Sequence, residues 1–145
     1  MSVPKLRAGL VIGYSYLWAR ESRAGVEEGV KDRPCAIVAA RQMIEGREIA
    51  TVVPITHRRP ANPADAVEIP AALKAHLGLD ATPSWIVVTE TNDFLWPGPD
   101  LRPVSRSKSS TFEFGMLPPR FFTHLRDRIL QAHLARKLNR VRRTE

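Results

Sequence analysis

A chain of 145 residues, 43% hydrophobic and 26% charged, has enough apolar content for one domain with a sizeable core. Its longest apolar runs fall well short of a bilayer span and its N-terminus lacks a secretory pattern, so a cytoplasmic protein without a membrane segment is expected. The net charge of +7 is uneven: residues 120–145 hold eight basic side chains against Asp127 and Glu145, which leaves the remainder at +1. That tail suits nucleic acid or an acidic protein partner, or is simply the solvated surface of a helix.

In chain order, Leu10-Val11-Ile12-Gly13-Tyr14 predicts a first strand, prolonged by Tyr16 and Trp18. Residues 20–33 are charged, contain Gly25 and Gly29, lack apolar periodicity and are expected to form a long loop. Lys31-Asp32-Arg33-Pro34 then runs into the apolar second strand, Cys35 to Ala40. Cys35, the only cysteine, cannot form an internal disulfide and is expected to be a buried structural thiol. A turn at Glu45-Gly46 leads to the third strand, Glu48 to Thr56, followed by His57-Arg58-Arg59. Pro54 cannot donate to a ladder, which predicts an edge or a bulge just before Thr56.

Val67-Glu68-Ile69-Pro70 predicts a short strand, and Ala71 to Leu77 a short helix stopped by Gly78. Ser84 to Thr91 predicts one strand, Phe94 to Pro99 a proline-rich turn, and Ser105 to Thr111 a mobile polar linker. Gly115-Met116-Leu117-Pro118-Pro119 signals a helix start. From Phe121 to Val141 apolar residues recur at three- and four-residue steps, which predicts one amphipathic helix over residues 120–143. The sum is a mainly β (α+β) protein: a small antiparallel barrel with a short internal helix and a C-terminal helix packed outside. Residues 1–130 form the barrel domain and residues 131–145 a basic helical extension.

The second and third strands gather an arginine and a hydroxyl at one end of a sheet, a pairing suited to phosphodiesters. In order, Gly9, Asp32-Arg33-Pro34-Cys35-Ala36-Ile37-Val38, Val52-Val53-Pro54-Ile55-Thr56, Val67-Glu68-Ile69-Pro70 and Gly115-Met116-Leu117-Pro118-Pro119 resemble the motifs of the MazF/PemK/Kid family of bacterial toxins. Those toxins are RNA-cleaving enzymes on a CcdB-like, SH3-like barrel, and the likeness runs from about Ala8 to Leu130. It implies a homodimeric, sequence-preferring endoribonuclease of a type II toxin–antitoxin system. Such an enzyme cuts single-stranded RNA without metal or other cofactor and is inhibited by a cognate antitoxin. Arg33 stands on the family's catalytic arginine, Thr56 on its catalytic threonine, and Glu28 where many members carry an acidic loop residue. The sequence departs from the family at Thr89-Glu90-Thr91-Asn92, where members carry Asp-Gln, an apolar residue and a basic one.

Metal-free RNA cleavage needs a base for the 2′-hydroxyl proton, an acid for the leaving oxygen and positive charge on the phosphate. Arginine fits the last role and is a poor proton shuttle, so Arg33 is assigned to the phosphate and Thr56 to orienting it. Glu28 is the first candidate base and His57 its rival. Arg33 could instead salt-bridge Glu28 or Asp32. His57, Arg58, Arg59, Arg20, Arg23, Asn92 and Trp18 are the expected RNA contacts. Trp18, Tyr14 and Tyr16 suit base stacking, the core or a dimer interface. No metal-ligand spacing is present. A same-fold barrel that binds nucleic acid or protein without cleaving is the alternative, and a CcdB-like protein acting on a protein target a further rival.

Overall fold

Uninterrupted apolar runs in strands mean that both faces of the sheet are covered. The computed structural model, which describes residues 3–26, 29, 31–43, 45–106 and 109–143, shows this for its three central strands. β1 (Leu10–Ser15), β2 (Asp32–Gln42) and β3 (Glu48–Thr56) run antiparallel side by side. Val11, Ala36, Val53 and Ile55 join one core, while Leu10, Ile12, Tyr14, Cys35, Ile37 and Val52 join another. The side-chain period of two divides each strand between the two cores.

Both outer edges of this triplet fork. α1 (Ala19–Arg23) follows β1, and the short strand β4 (Ala66–Glu68) and helix α2 (Ala71–Leu77) follow β3. Along β3, Ile49 to Val52 pair with β6 (Glu90–Leu95), whereas Ile55 and Thr56 pair with β5 (Trp85–Val87). Pro54, without an N–H, falls where one partner has ended and the next has not begun. Along β1, Gly13 and Tyr14 pair with β7 (Leu101–Arg102), and Leu10 to Ile12 pair with a later strand. A Cβ at Gly13 would lie 2.5 Å from the Arg102 carbonyl oxygen, so only glycine admits β7 there.

The remaining elements are β8 (Val104–Arg106) and β9 (Ser109–Thr111), which form a separate hairpin, then β10 (Glu113–Met116), α3 (Pro119–Leu134) and β11 (Asn139–Arg142). β10 is the partner of Leu10 to Ile12, and β4 lines the far side of β5. α2 and α3 close the first core with Leu73, Leu77 and Leu125. The expected mainly antiparallel β architecture with its internal and later helices is present. Among the described residues the ladders do not close into a ring, so the expected barrel is present only loosely, as a forked open sheet. No helix among the described residues is long and apolar enough to cross a membrane.

Four expectations need correction. The helix expected to reach residue 143 ends at Leu134, with Arg136 in the left-handed region (φ 58) and Lys137 N–H bonded to the Ala132 carbonyl. Leu130 and Leu134 are 53% and 73% exposed, so the apolar spacing there marks no buried face. The tail instead returns as β11, which pairs in parallel with β6. The charged stretch after Trp18 contains the short helix α1, whose Glu21 carboxylate accepts the Trp18 N–H at 3.1 Å. The single strand expected over Ser84–Thr91 breaks after Val87, because its halves serve different stretches of β3. Ser105–Thr111, expected as a linker, contributes to the β8–β9 hairpin.

The returning tail is locked by Arg143. Its side chain is 3% exposed and donates to the Ser15 carbonyl (2.7 Å), the Tyr14 hydroxyl (3.2 Å) and Asn92 Oδ1 (3.3 Å), while Nη2 meets Asp100 Oδ2 at 3.0 Å. Val141 packs against Leu17 and Ala19. Removing one partner of a buried ion pair strands the other charge, so Arg143→Met is expected to cost about 3 kcal/mol in urea unfolding, and a loss below about 1 kcal/mol would refute the lock.

Cys35 is free and fully buried, as expected, and burial pushes its thiol well above the usual range despite the opposing pull of Arg33. Iodoacetamide at pH 8 should leave it unmodified in the native protein and alkylate it once urea unfolds the chain. Modification at equal rates in both states would contradict this burial.

Candidate functional site at the fork of β3

β2 begins and β3 ends at the same edge of the sheet, and this antiparallel pairing brings Arg33 and Thr56 together. Two clefts open there. The first, of about 480 Å³, lies between the start of β2, the end of β3, and the segment from α2 to Ser84; its lining includes Arg33, Thr56, His57, Lys74 and Asp80. The second, of about 510 Å³, is lined by Trp18, Arg20, Arg33, Thr56, Arg58 and Arg59 among others. Arg33, Thr56 and Arg58 belong to both, so they form the ridge between the clefts.

Arg33 is half-buried. Its Nη1 reaches the Ile55 carbonyl at 3.4 Å, and its guanidinium lies over the Trp18 ring at 5.1 Å. Arg20 lies over the same ring at 5.3 Å. Asp32, a possible partner on sequence grounds, pairs with Arg102 instead at 3.4 Å. Among the described residues no carboxylate pairs with Arg33, and its buried Nε makes no hydrogen bond. A cation so poorly compensated attracts an anion more strongly than a solvated one. Thr56 Oγ1 accepts the Arg58 N–H at 3.1 Å, which fixes the hydroxyl and leaves its own hydrogen to donate.

On the first cleft, both Asp80 oxygens approach His57 Nε2, at 2.9 and 3.1 Å. Lys74 is buried, and its Nζ donates to Asp80 Oδ1 (2.9 Å), Ser84 Oγ (2.6 Å) and the Thr82 carbonyl. Gly78, in the left-handed region at φ 70, ends α2 and turns the chain so that Asp80 comes back towards Lys74. The Lys74 hydrogen bond, together with the charges of His57 and Lys74, holds the Asp80 carboxyl below the usual range against the opposing effect of burial. Sequence patterning misses Lys74, Asp80 and Ser84. The available signal is a lysine beside Leu73 on the face of α2 that also carries Leu77, where a solvated charge is out of place.

No protein-family model matches the sequence, and no curated protein matches it either. The likeness to the MazF/PemK/Kid toxins thus rests on the five motifs themselves.

The other expected contacts separate. His57, Arg58, Arg59, Trp18 and Arg20 line one or both clefts, whereas Arg23, at the end of α1, lines neither. Glu28 lies outside the described residues. Asn92 is fully buried and so cannot meet RNA: its Oδ1 accepts the Leu17 N–H at 2.9 Å, and its Nδ2 donates to the Leu17 carbonyl at 2.8 Å. Tyr14 and Tyr16 are buried too, Tyr14 stacked on Phe94 at 4.6 Å, and are core residues rather than stacking platforms. Among the described residues no three His, Cys, Asp or Glu side chains gather as a metal would require.

The divergent Thr89–Asn92 stretch therefore has a local task. Glu90 Oε1 accepts the Ala19 N–H (2.9 Å) and the Tyr16 hydroxyl (3.2 Å), so Glu90 and Asn92 together hold residues 16–19, which carry Trp18 to Arg33. Burial raises the Glu90 carboxyl above its usual range, against hydrogen bonds from Ala19 and Tyr16 and the charges of Arg20 and Arg23. Between the ordinary value, about 4.3, and the raised one, the folded state holds the extra proton and stability falls as pH rises. Glu90→Gln keeps the acceptor without the charge, so its stability relative to wild type should improve from pH 4 to pH 7. Parallel stability curves over that range would rule this out.

Proposed function

We propose that this chain is a metal-independent endoribonuclease of MazF/PemK type, cutting single-stranded RNA with sequence preference as the toxin of a type II toxin–antitoxin pair. One observation carries the proposal: Arg33, without a carboxylate partner among the described residues, shares with Thr56 the ridge between two basic clefts. A strand crossing the ridge would bring one phosphate to both side chains, with flanking nucleotides in the clefts. The 2′-oxygen bonds to phosphorus, the bond from phosphorus to the 5′-oxygen breaks, and a 2′,3′-cyclic phosphate and a 5′-hydroxyl result. Charge accumulates on the five-coordinate phosphorus, and the planar guanidinium of Arg33 suits that charge. Thr56 donates to a phosphate or ribose oxygen, and Trp18 and the arginines around it suit base and backbone contacts. A homodimer, and an acidic or disordered antitoxin over the basic clefts, belong to the same proposal through the family likeness.

A second reading draws on Glu90 and Asn92. They turn into the fold where the family carries Gln and a basic residue, and Thr89 stands in place of the family's Asp, which favours a barrel-like module that binds RNA without cutting it. Incubating the protein with long single-stranded RNA in EDTA separates the two. Cleavage is expected, reduced roughly 10²–10³-fold in Arg33→Ala, as for a lost oxyanion donor, and strongly in Thr56→Ala. Intact RNA that is nonetheless retarded on a gel would replace the enzyme with the binding module.

A further inference from the structure

His57 follows Thr56 directly and is half exposed at the cleft, yet it does not hang free. Its Nε2 faces the Asp80 carboxylate, which also accepts from buried Lys74 and from the Thr82 N–H at 3.1 Å. The three hydrogens of Lys74 Nζ match its three acceptors, Asp80, Ser84 and the Thr82 carbonyl, which leaves none for a substrate phosphate. The lysine thus fixes the carboxylate, and the carboxylate fixes the ring. A carboxylate accepting from Nε2–H selects the neutral tautomer whose lone pair is on Nδ1. Nδ1 makes no hydrogen bond among the described residues.

We infer that His57 is the general base of the phosphodiester reaction, that Asp80 is its positioning residue, and that Lys74 anchors Asp80 as a buried tether. The inference deepens the RNA-cleaving reading and rests on it. Nδ1 takes the proton of the 2′-hydroxyl as its oxygen bonds to phosphorus. The departing 5′-oxygen takes a proton from water, and the imidazolium later returns its own to solvent. No electrons are exchanged. The charges lining the same cleft are Lys31, Asp32, Arg33, Arg58 and Lys74 besides Asp80. A group of three, in which a base is oriented by a carboxylate that is itself anchored, follows the logic by which acyl-transfer enzymes align histidine.

The test compares wild type, His57→Gln, Asp80→Asn and Arg33→Ala on a single-stranded RNA oligonucleotide in EDTA from pH 5 to pH 9, with ¹⁵N spectra of the imidazole in the free proteins. The amide introduced by Asp80→Asn keeps an oxygen for Lys74 but offers an N–H to the ring. The wild type should show the Nε2–H tautomer and Asp80→Asn the Nδ1–H tautomer. Cleavage should fall roughly 10²-fold or more in His57→Gln and Asp80→Asn, the range of lost general-base catalysis. If Arg33→Ala is inactive while His57→Gln cuts at near wild-type rate, His57 is not the base and the RNA-cleaving reading stands. An unchanged tautomer in Asp80→Asn would overturn the role of Asp80. A wild type that leaves RNA intact would remove the nuclease reading and this inference together.

Discussion

Buried Arg143 ties the returning tail to three other parts of the chain at one point. It binds the end of β1 through Tyr14 and Ser15, β6 through Asn92, and the turn before β7 through Asp100, and its own N–H reaches the Asp93 carbonyl. Asp100 in turn accepts the Ser15 N–H through its backbone. The segment from Ser15 to Ala19, which carries Trp18, is thereby held from below by Arg143, Asn92 and Glu90. Since Trp18 is the surface on which Arg33 lies, the site at the start of β2 depends on an arginine more than a hundred residues further along the chain.

Three buried or half-buried cations show how structure and function divide among similar side chains. Lys74 and Arg143 have their donors taken by carbonyls, hydroxyls, an amide oxygen and one carboxylate each, and burying them is tolerable only because they are so fully paired. Arg33 is different. Among the described residues it meets one long bond to a carbonyl and a ring face, with its buried Nε unpaired, an under-compensation that costs stability and is worth keeping only if something else supplies the negative charge. The degree of pairing, not burial, distinguishes it.

The sequence discloses what depends on local pattern. β3 and α2 run over the predicted residues, because Glu45-Gly46, Thr56, Pro70 and Gly78 punctuate them chemically. The Arg33–Thr56 pairing was legible for the same reason: both sit at strand ends, and antiparallel neighbours bring such ends together. Features decided by distant partners were not. The helical spacing of Leu130, Leu134, Leu138 and Val141 is real in the sequence, but β6 offers the last of these a ladder and Arg143 a buried set of acceptors. The apolar run through Val88 conceals a break made necessary by the forking of β3. Asn92 looks like a polar residue free to meet ligand, and only the fold shows that its amide is consumed by Leu17. The Lys74–Asp80–His57 chain spans a helix, a turn and a strand end, and no spacing rule connects them.

The forks along β1 and β3 also bear on how the chain reaches this state. β1 must recruit β7 and β10 from the far end of the sequence and β6 must wait for β11, whereas the β2–β3 hairpin at the centre of the sheet forms from neighbours. Loops must close before such pairings give anything back, and proteins dominated by non-local contacts fold in milliseconds to seconds rather than microseconds. β2–β3 is thus the natural nucleus, and both walls of the ridge are present in it from the start. Trp18, the clefts and the anchored carboxylate arrive later, so the chain acquires its arginine and threonine early and the surroundings that orient them last.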